Sequence, residues 1–401
     1  MSAGSTLAKL GLLASLYFSQ GLPFGFFTQA LPVLLRERGL SLPAIGLSSL
    51  LALPWALKFA WAPLVDHARF RGLGRRKSWI VPLQLAAALL SLSLAFADSQ
   101  RALAWLLAGV LLTNLVAATQ DVATDGLAVE LLSPQERGLG NGVQVAGYRV
   151  GMIVGGGALL LAFARLGWRA AFFVMSGLLV LATLPILAHR ERWPKAAAAT
   201  RPELRWSAWL ALGKHFGPWL GVLLAYKTGD ALGTGMLRPF LVDSGLGLDD
   251  IGWLLGTLGF TSGLLGALAG GWAVGRLGRR RALLGFGLVQ ALAVALYALP
   301  ASSRSALGLI TAVATLEHFT GGMATAALFT LMMDRARPGR EGTDYTFQAS
   351  AVVLATGAAS ALSGYLAQAV GYFWHFVVAG LAALGGVVVA ASVLRPSEEE
   401  R

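Results

Sequence analysis

Apolar runs of about 20 residues recur along the whole chain, separated by short polar turns. A helix of about 20 residues crosses a hydrocarbon core of ~30 Å. The runs lie near residues 10–35, 45–65, 79–96, 102–126, 139–163, 170–188, 217–240, 251–274, 282–299, 306–333, 345–370 and 372–394. The pattern predicts an all-α integral membrane protein with twelve transmembrane helices. The first run, Leu10 to Leu35, is too long for a signal-peptide core and lacks a small-residue cleavage pattern, so no cleaved leader is expected.

The polar turns are not equivalent. With the N-terminus inside, the inner turns and both tails hold 22 of the 32 Lys and Arg, among them Arg75, Arg76, Lys77, Arg279, Arg280 and Arg281. The outer turns hold 7, and Lys58, Arg149 and Lys227 fall inside spans. Positive loops stay cytoplasmic, so both termini are expected there. The longest hydrophilic stretch, His189 to Lys214, contains Pro194, Pro202 and an alanine run. It reads as the core of a linker, 189–216, between bundles at 1–188 and 217–401. The halves also echo each other. Gly39-Leu-Ser-Leu-Pro-Ala-Ile-Gly46 returns as Gly245-Leu-Gly-Leu-Asp-Asp-Ile-Gly252, and the basic turn Gly74-Arg-Arg-Lys77 as Gly278-Arg-Arg-Arg281. Two pseudo-symmetric six-helix bundles are expected.

Composition adds exclusions. Charged residues make up 13% of the 401, about half the usual share of a soluble domain. The net charge of +12 is spread over short loops, which is a topology signal rather than a nucleic-acid footprint. No cysteine is present, which removes disulfides and thiol chemistry. Neither a G-x-x-x-x-G-K-[ST] loop nor an H-E-x-x-H pair occurs, so no nucleotide, metal or other cofactor is expected. An intramembrane enzyme would need a clustered nucleophile and base, and none is visible. A sensor that has lost transport would bind ligand without accumulating it. A carrier, not an enzyme, is the expectation.

Charges inside the spans carry the candidate chemistry, because each costs at least ~2.5–3.5 kcal/mol to bury. Lys227 and Asp230, three apart, share a helix face. They form a mutual ion pair, a pair that opens for substrate or proton, or both. Arg149 has no acid within a turn of its own helix, so its partner comes from another helix or from substrate, with Asp121 a candidate. Asn114, Ala118, Asp121 and Asp125 recur at spacings of 4, 3 and 4, one face that should line the interior. Asp125, nearer the inner end, suits a cap or latch; Asp121 lies deeper. Glu317 and His318 in the tenth span could relay protons or clasp a neighbouring helix. Lys58, between Trp55 and Trp61, would snorkel or pair with Asp66. The proton-coupling candidates are Asp121, Asp230, Glu317 and His318. Tyr17, Gln20, Gln144, Tyr148, Arg149 and Lys227 are the substrate-facing ones. Gly147, Gly151 and Gly155, spaced four apart, predict close helix contact.

The turn Gly271-Trp-Ala-Val-Gly275-Arg276-Leu-Gly278-Arg279-Arg280 resembles the G-x-x-x-D-R-x-G-R-R loop of the major facilitator superfamily, with Gly275 in place of the acid. The first half keeps the acid as Asp66. The resemblance implies an electrostatic latch of Asp66, Arg75, Arg76 and Asp125, present in the first half only. A narrower set resembles the muropeptide permease and acetyl-CoA transporter family. It comprises Gly21-Leu-Pro-Phe-Gly25, Trp61-Ala-Pro-Leu-Val-Asp66, Ala118-Thr-Gln-Asp121, Glu136-Arg-Gly138, Gly147-Tyr-Arg-Val-Gly151, Tyr226-Lys-Thr-Gly-Asp-Ala231 and Glu317-His-Phe-Thr-Gly-Gly322. Met332-Met-Asp334 and Gly342-Thr-Asp-Tyr-Thr-Phe-Gln-Ala-Ser350 resemble the branch that imports siderophores of the rhizobactin and pyochelin type, as does the lack of helices beyond twelve. The fifth span lacks the proline-glycine motif of the superfamily's antiporters, which favours symport.

The expectation is a proton-driven symporter, a monomer in the bacterial inner membrane. Its cargo is a medium-sized, anionic small molecule, a siderophore first and a muropeptide as the alternative. A topology reporter fused after Lys195 should read cytoplasmic and one at Ser303 periplasmic. The reverse pattern would overturn the orientation drawn from Lys and Arg.

Overall fold

The computed structural model describes residues 5–39, 48–67, 74–96, 103–191, 206–302 and 307–394. Outside them lie the linker core 192–205, the loop copy from Leu40 to Gly46, the reporter position Ser303, and Arg69, Arg71, Arg101, Arg304, Arg395 and Arg401.

Hydrocarbon offers the backbone no hydrogen-bond partner, so a spanning chain satisfies itself as helix. Among the described residues, seven helices are long and apolar enough to cross a membrane. Two of these, Arg137–Ala188 and Glu341–Val393, run for 52 and 53 residues, about 80 Å and far more than one crossing needs. Gly167 (φ 83°) and Gly371 (φ 76°) break them outside helical space, and each then holds two crossings. Leu307–Asp334 is a further one. The last two are interrupted. One passes through a 3-10 turn Ser48–Ala52, a helical turn Leu53–Leu57, a 3-10 turn Lys58–Ala60 and the helix Ala62–His67. The other is Pro218–Ala225, Thr228–Gly235 and Leu237–Asp243.

Twelve crossings result among the described residues, where the apolar runs predict them. In chain order, helices one to six are 6–37, 48–67, Lys77–Leu94, Leu103–Leu131, 137–166 and 168–188. Helices seven to twelve are 218–243, 248–277, Arg279–Ala295, Leu307–Asp334, 341–370 and 372–393.

The chain forms two compact units. The first comprises Met1–Leu132, Ala146–Leu204 and Arg335–Phe347; the second comprises Ser133–Val145, Arg205–Asp334 and Gln348–Arg401. Helix five thus gives its first turns to the second unit, and helix eleven gives its first turns to the first.

Small residues set the helix spacing. In the first unit, helix five lies on helix one so closely that a Cβ on Gly151 would strike Phe18 O and Gly21, and one on Gly155 would strike Leu22 O. Behind this seam Phe26, Phe163, Trp168 and Phe172 form a closed aromatic cluster. In the second unit Gly266 and Gly270 seat helix eight on Phe319 and Met323 of helix ten, and Gly138 meets Gly271. Around Phe240, Tyr297, Tyr372 and Phe376 its apolar core closes.

Gly151→Ala should therefore cost about 1–3 kcal/mol through overpacking, seen as a lower melting temperature in detergent. Gly157→Ala on the same helix meets open space and should be neutral or slightly stabilising. Equal melting temperatures for both variants would refute the seam.

Candidate functional site

In the first unit, the polar face expected on helix four is buried, Asn114, Ala118, Asp121 and Asp125 all lying inside. Lys58 of helix two forms an ion pair with Asp121. This corrects the sequence reading of Lys58, which neither snorkels nor reaches Asp66. Asp125 lies within hydrogen-bonding reach of Asp121 and accepts from Tyr17 Oη at 2.8 Å. Tyr17 is 1% exposed, so its hydroxyl serves Asp125 inside the bundle. Gln20, also buried, finds no partner for its amide among the described residues. Tyr148 and Arg149 are partly exposed, and Gln144 is buried in the second unit.

The second unit gathers the other four candidates. Lys227 Nζ lies 2.7 Å from Asp230 Oδ2 and donates to Gln290 Oε1 of helix nine at 3.1 Å. The Glu317 carboxyl of helix ten comes within hydrogen-bonding reach of Asp230. His318 Nδ1 is 2.8 Å from Glu317 Oε2 but is directed at Ala314 O, 2.9 Å away. Glu317 Oε2 and Asp230 Oδ1 are left without a donor among the described residues, and Gln290 Nε2 and Tyr297 Oη without a partner. Glu317 is 3% exposed. Two buried acceptors without a donor are satisfied by a proton or by a donor from outside.

Both lysines sit where their helix is interrupted. Lys58 opens a 3-10 turn, and Lys227 (φ −101°, ψ 0°) separates two helical segments. Interrupted helices are where transporters expose polar groups at membrane depth.

A second set of charges lies at the helix ends. Arg76 Nη1 meets Asp66 Oδ1 at 2.6 Å, and both side chains are fully buried. Asp66 also accepts from the backbone N–H groups of Gly342 and Thr343 and from the Thr343 hydroxyl, at the start of helix eleven. Burial opposes charge on Asp66, yet the Arg76 guanidinium and the Thr343 bonds outweigh it and hold the carboxyl below its usual range. Burial likewise opposes the Arg76 charge, and Asp66 and Glu130 raise its pKa in spite of it. Arg75 bonds to Glu130 and to Glu341. The expected latch members Asp66, Arg75 and Arg76 thus come together, while Asp125 turns to Tyr17 instead.

The second half has such a cluster too, contrary to the expectation drawn from Gly275. Asp334 binds Arg137 at 2.8 Å and Arg279 at 2.9 Å. Its acid comes from the end of helix ten, not from the loop after helix eight. Asp334 and Arg279 follow Glu130 and Arg75 by 204 residues, the offset between the two basic turns. That regularity was the signal for Glu130 and Asp334. Nothing comparable marked Gln290 or the Lys58 pairing.

A sequence model of the Major Facilitator Superfamily matches residues 13–343 and 219–401. The chain belongs to the major facilitator superfamily. The anhydromuropeptide permease of Escherichia coli K12 is 30% identical over 389 residues, covering 95% of this chain and 79% of that protein. A Haemophilus influenzae protein is 31% identical over 384 residues, 92% of this chain and 90% of that one. Among solved structures, the human organic anion transporter MFSD10 superposes with a TM-score of 0.76 at 17% identity, covering 96% and 99% of the two chains. The Escherichia coli fucose:proton symporter superposes at 0.76 and 14%, covering 98% and 100%. These likenesses in structure are of fold. Relatives and fold alike are those of superfamily transporters.

Because Asp66 titrates below its usual value in the folded protein, its contribution to stability is complete above about pH 4 and is lost as pH falls through the folded value. Asp66→Asn should cost about 3 kcal/mol near neutral pH. This is the lower end for breaking a buried pair, since Glu130 and Glu341 still face Arg76. The gap between the melting curves of the two proteins should begin to narrow below about pH 4 and close once pH has fallen below the folded value. A gap that persists there would show that the charge of Asp66 is not what stabilises the cluster.

Proposed function

We propose that this protein imports anhydromuropeptides across the bacterial inner membrane, driven by the proton gradient, with both termini cytoplasmic. The observation that carries the cargo is the 30% identity to the Escherichia coli anhydromuropeptide permease along 95% of the chain. The first-placed siderophore reading rests on Met332-Met-Asp334 and on residues 342–350. In this structure Asp334 clasps Arg137 and Arg279, and Gly342 and Thr343 hold Asp66. Those motifs are occupied in helix-end contacts and say little about cargo.

The Asp230–Glu317 pair supports proton coupling, since their free acceptor oxygens match a group that gains and loses a proton. Asp121 is less suited, being held by Lys58. Lys227 offers an anionic group on the cargo a cation already positioned by Gln290. Residues 1–188 and 217–401 would act as the two moving bundles.

The test is uptake of labelled anhydromuropeptide into proteoliposomes. Accumulation should need a proton gradient, collapse with a protonophore and ignore ATP. Glu317→Gln mimics the protonated acid and should abolish accumulation while leaving exchange. Asp121→Asn leaves Lys58 unpaired and should lower the yield of folded protein instead. Full accumulation without a gradient would remove the proton from the mechanism. Uptake of ferric siderophores but not of anhydromuropeptide would restore the other cargo.

A further inference from the structure

We infer that Phe24, Trp55 and Tyr148 form the subsite for a sugar ring of the cargo, bordered by Asn114 and the Lys58–Asp121 pair. The inference rests on the anhydromuropeptide reading, which makes the cargo an amino sugar carrying a peptide.

Three aromatic side chains from helices one, two and five meet in the first unit. The Phe24 and Trp55 rings are 5.4 Å apart between centroids at 75°, and those of Phe24 and Tyr148 are 5.7 Å apart at 45°. All three are only partly buried. The neighbouring cluster of the same unit differs, because Phe26 and Phe172 there are 3% and 0% exposed and serve packing. Trp55 also differs from the indoles that face outward, Trp105, Trp253, Trp272 and Trp374, each more than half exposed. Its N–H turns inward and donates to Asn114 Oδ1 at 3.1 Å. Asn114 in turn donates to Leu51 O at 3.0 Å, which fixes the amide and with it the plane of the indole. One turn further along helix two, Lys58 Nζ lies 5.5 Å from the centre of the Trp55 ring and holds Asp121.

A pyranose has an apolar C–H face and a rim of hydroxyl or acetamido groups. Rigid aromatic rings match the face and lose little entropy in doing so. The Lys58 ammonium over the Trp55 ring and the carboxylate it holds match the rim, as one donor and one acceptor. The second unit offers charged and unsatisfied polar atoms around Lys227 instead, which suit an ionised group or a proton. The sugar therefore belongs to the first half.

The test uses two ligands, the anhydromuropeptide and its amino-sugar part freed of peptide, in competition binding to purified protein. Wild type should bind both. Trp55→Leu and Tyr148→Leu should each weaken the peptide-free sugar about tenfold, and Tyr148→Phe, which keeps the ring, should bind it like wild type. Should Trp55→Leu fail to fold because Asn114 loses its partner, the two Tyr148 variants decide alone. Sugar binding unchanged in Tyr148→Leu, or no binding of the free sugar by a wild type that takes the anhydromuropeptide, overturns the subsite only. A folded wild type that binds neither ligand overturns the cargo reading and the subsite together.

Discussion

A charge in hydrocarbon must bring its partner with it, and this requirement organises the interior of the protein. Inside the spans Lys58 reaches across to Asp121 and Lys227 pairs with Asp230, and at the helix ends Arg76 closes on Asp66. Each pair ties its lysine or arginine to a neighbouring segment, and two of the three join different helices. Breaking such a pair costs more than forming it gains, since the orphaned charge stays buried. The helices therefore cannot drift apart without a replacement ion. A substrate, a proton or water can be that replacement, which makes the same pairs suitable as points of control.

Close helix contact makes the pairing possible. Gly151 and Gly155 bring helix five against helix one, and the phenylalanine at position 24 then meets Tyr148. Interruptions do the rest. The 3-10 turn beginning at Lys58 and the break at Lys227 alter the direction of the side chains that follow, so residues on an irregular helix meet partners that an ideal 3.6-residue period would not predict. The cost in backbone hydrogen bonds is tolerable only inside the bundle.

That irregularity also marks how far the sequence could be read. The twelve spans were legible because hydrocarbon thickness fixes run length, and Lys227–Asp230 because both partners share one helix face. Lys58–Asp121 was not, because pairing across helices depends on rotation and depth, which periodicity along one helix does not contain. For the same reason the sequence offers Asp66 to Lys58 and Asp121 to Arg149. Asp334 was visible but misassigned. Read as a mark of cargo, it is instead the acid that the second basic turn lacks at Gly275. The glycine there removed an expected partner, and the acid that supplies one sits about 60 residues later, on another helix end.

The two halves resolve similar inventories differently. Each has one lysine near two carboxyls, Asp121 and Asp125 in the first, Asp230 and Glu317 in the second. In the first half Lys58 serves Asp121 and the Tyr17 hydroxyl serves Asp125, so both acids have donors. In the second, Lys227 divides its bonds between Asp230 and Gln290, and one oxygen of each acid has no donor among the described residues. Acids that each hold a donor suit a fixed platform. An unsaturated pair stabilises whichever partner supplies a proton, and its ion pair with Lys227 weakens when an anion competes for the ammonium. Arrival of an anionic group at Lys227 would then leave Asp230 short of a cation and favour protonation of the pair. Cargo and proton would be linked through a single lysine, without a direct contact between them.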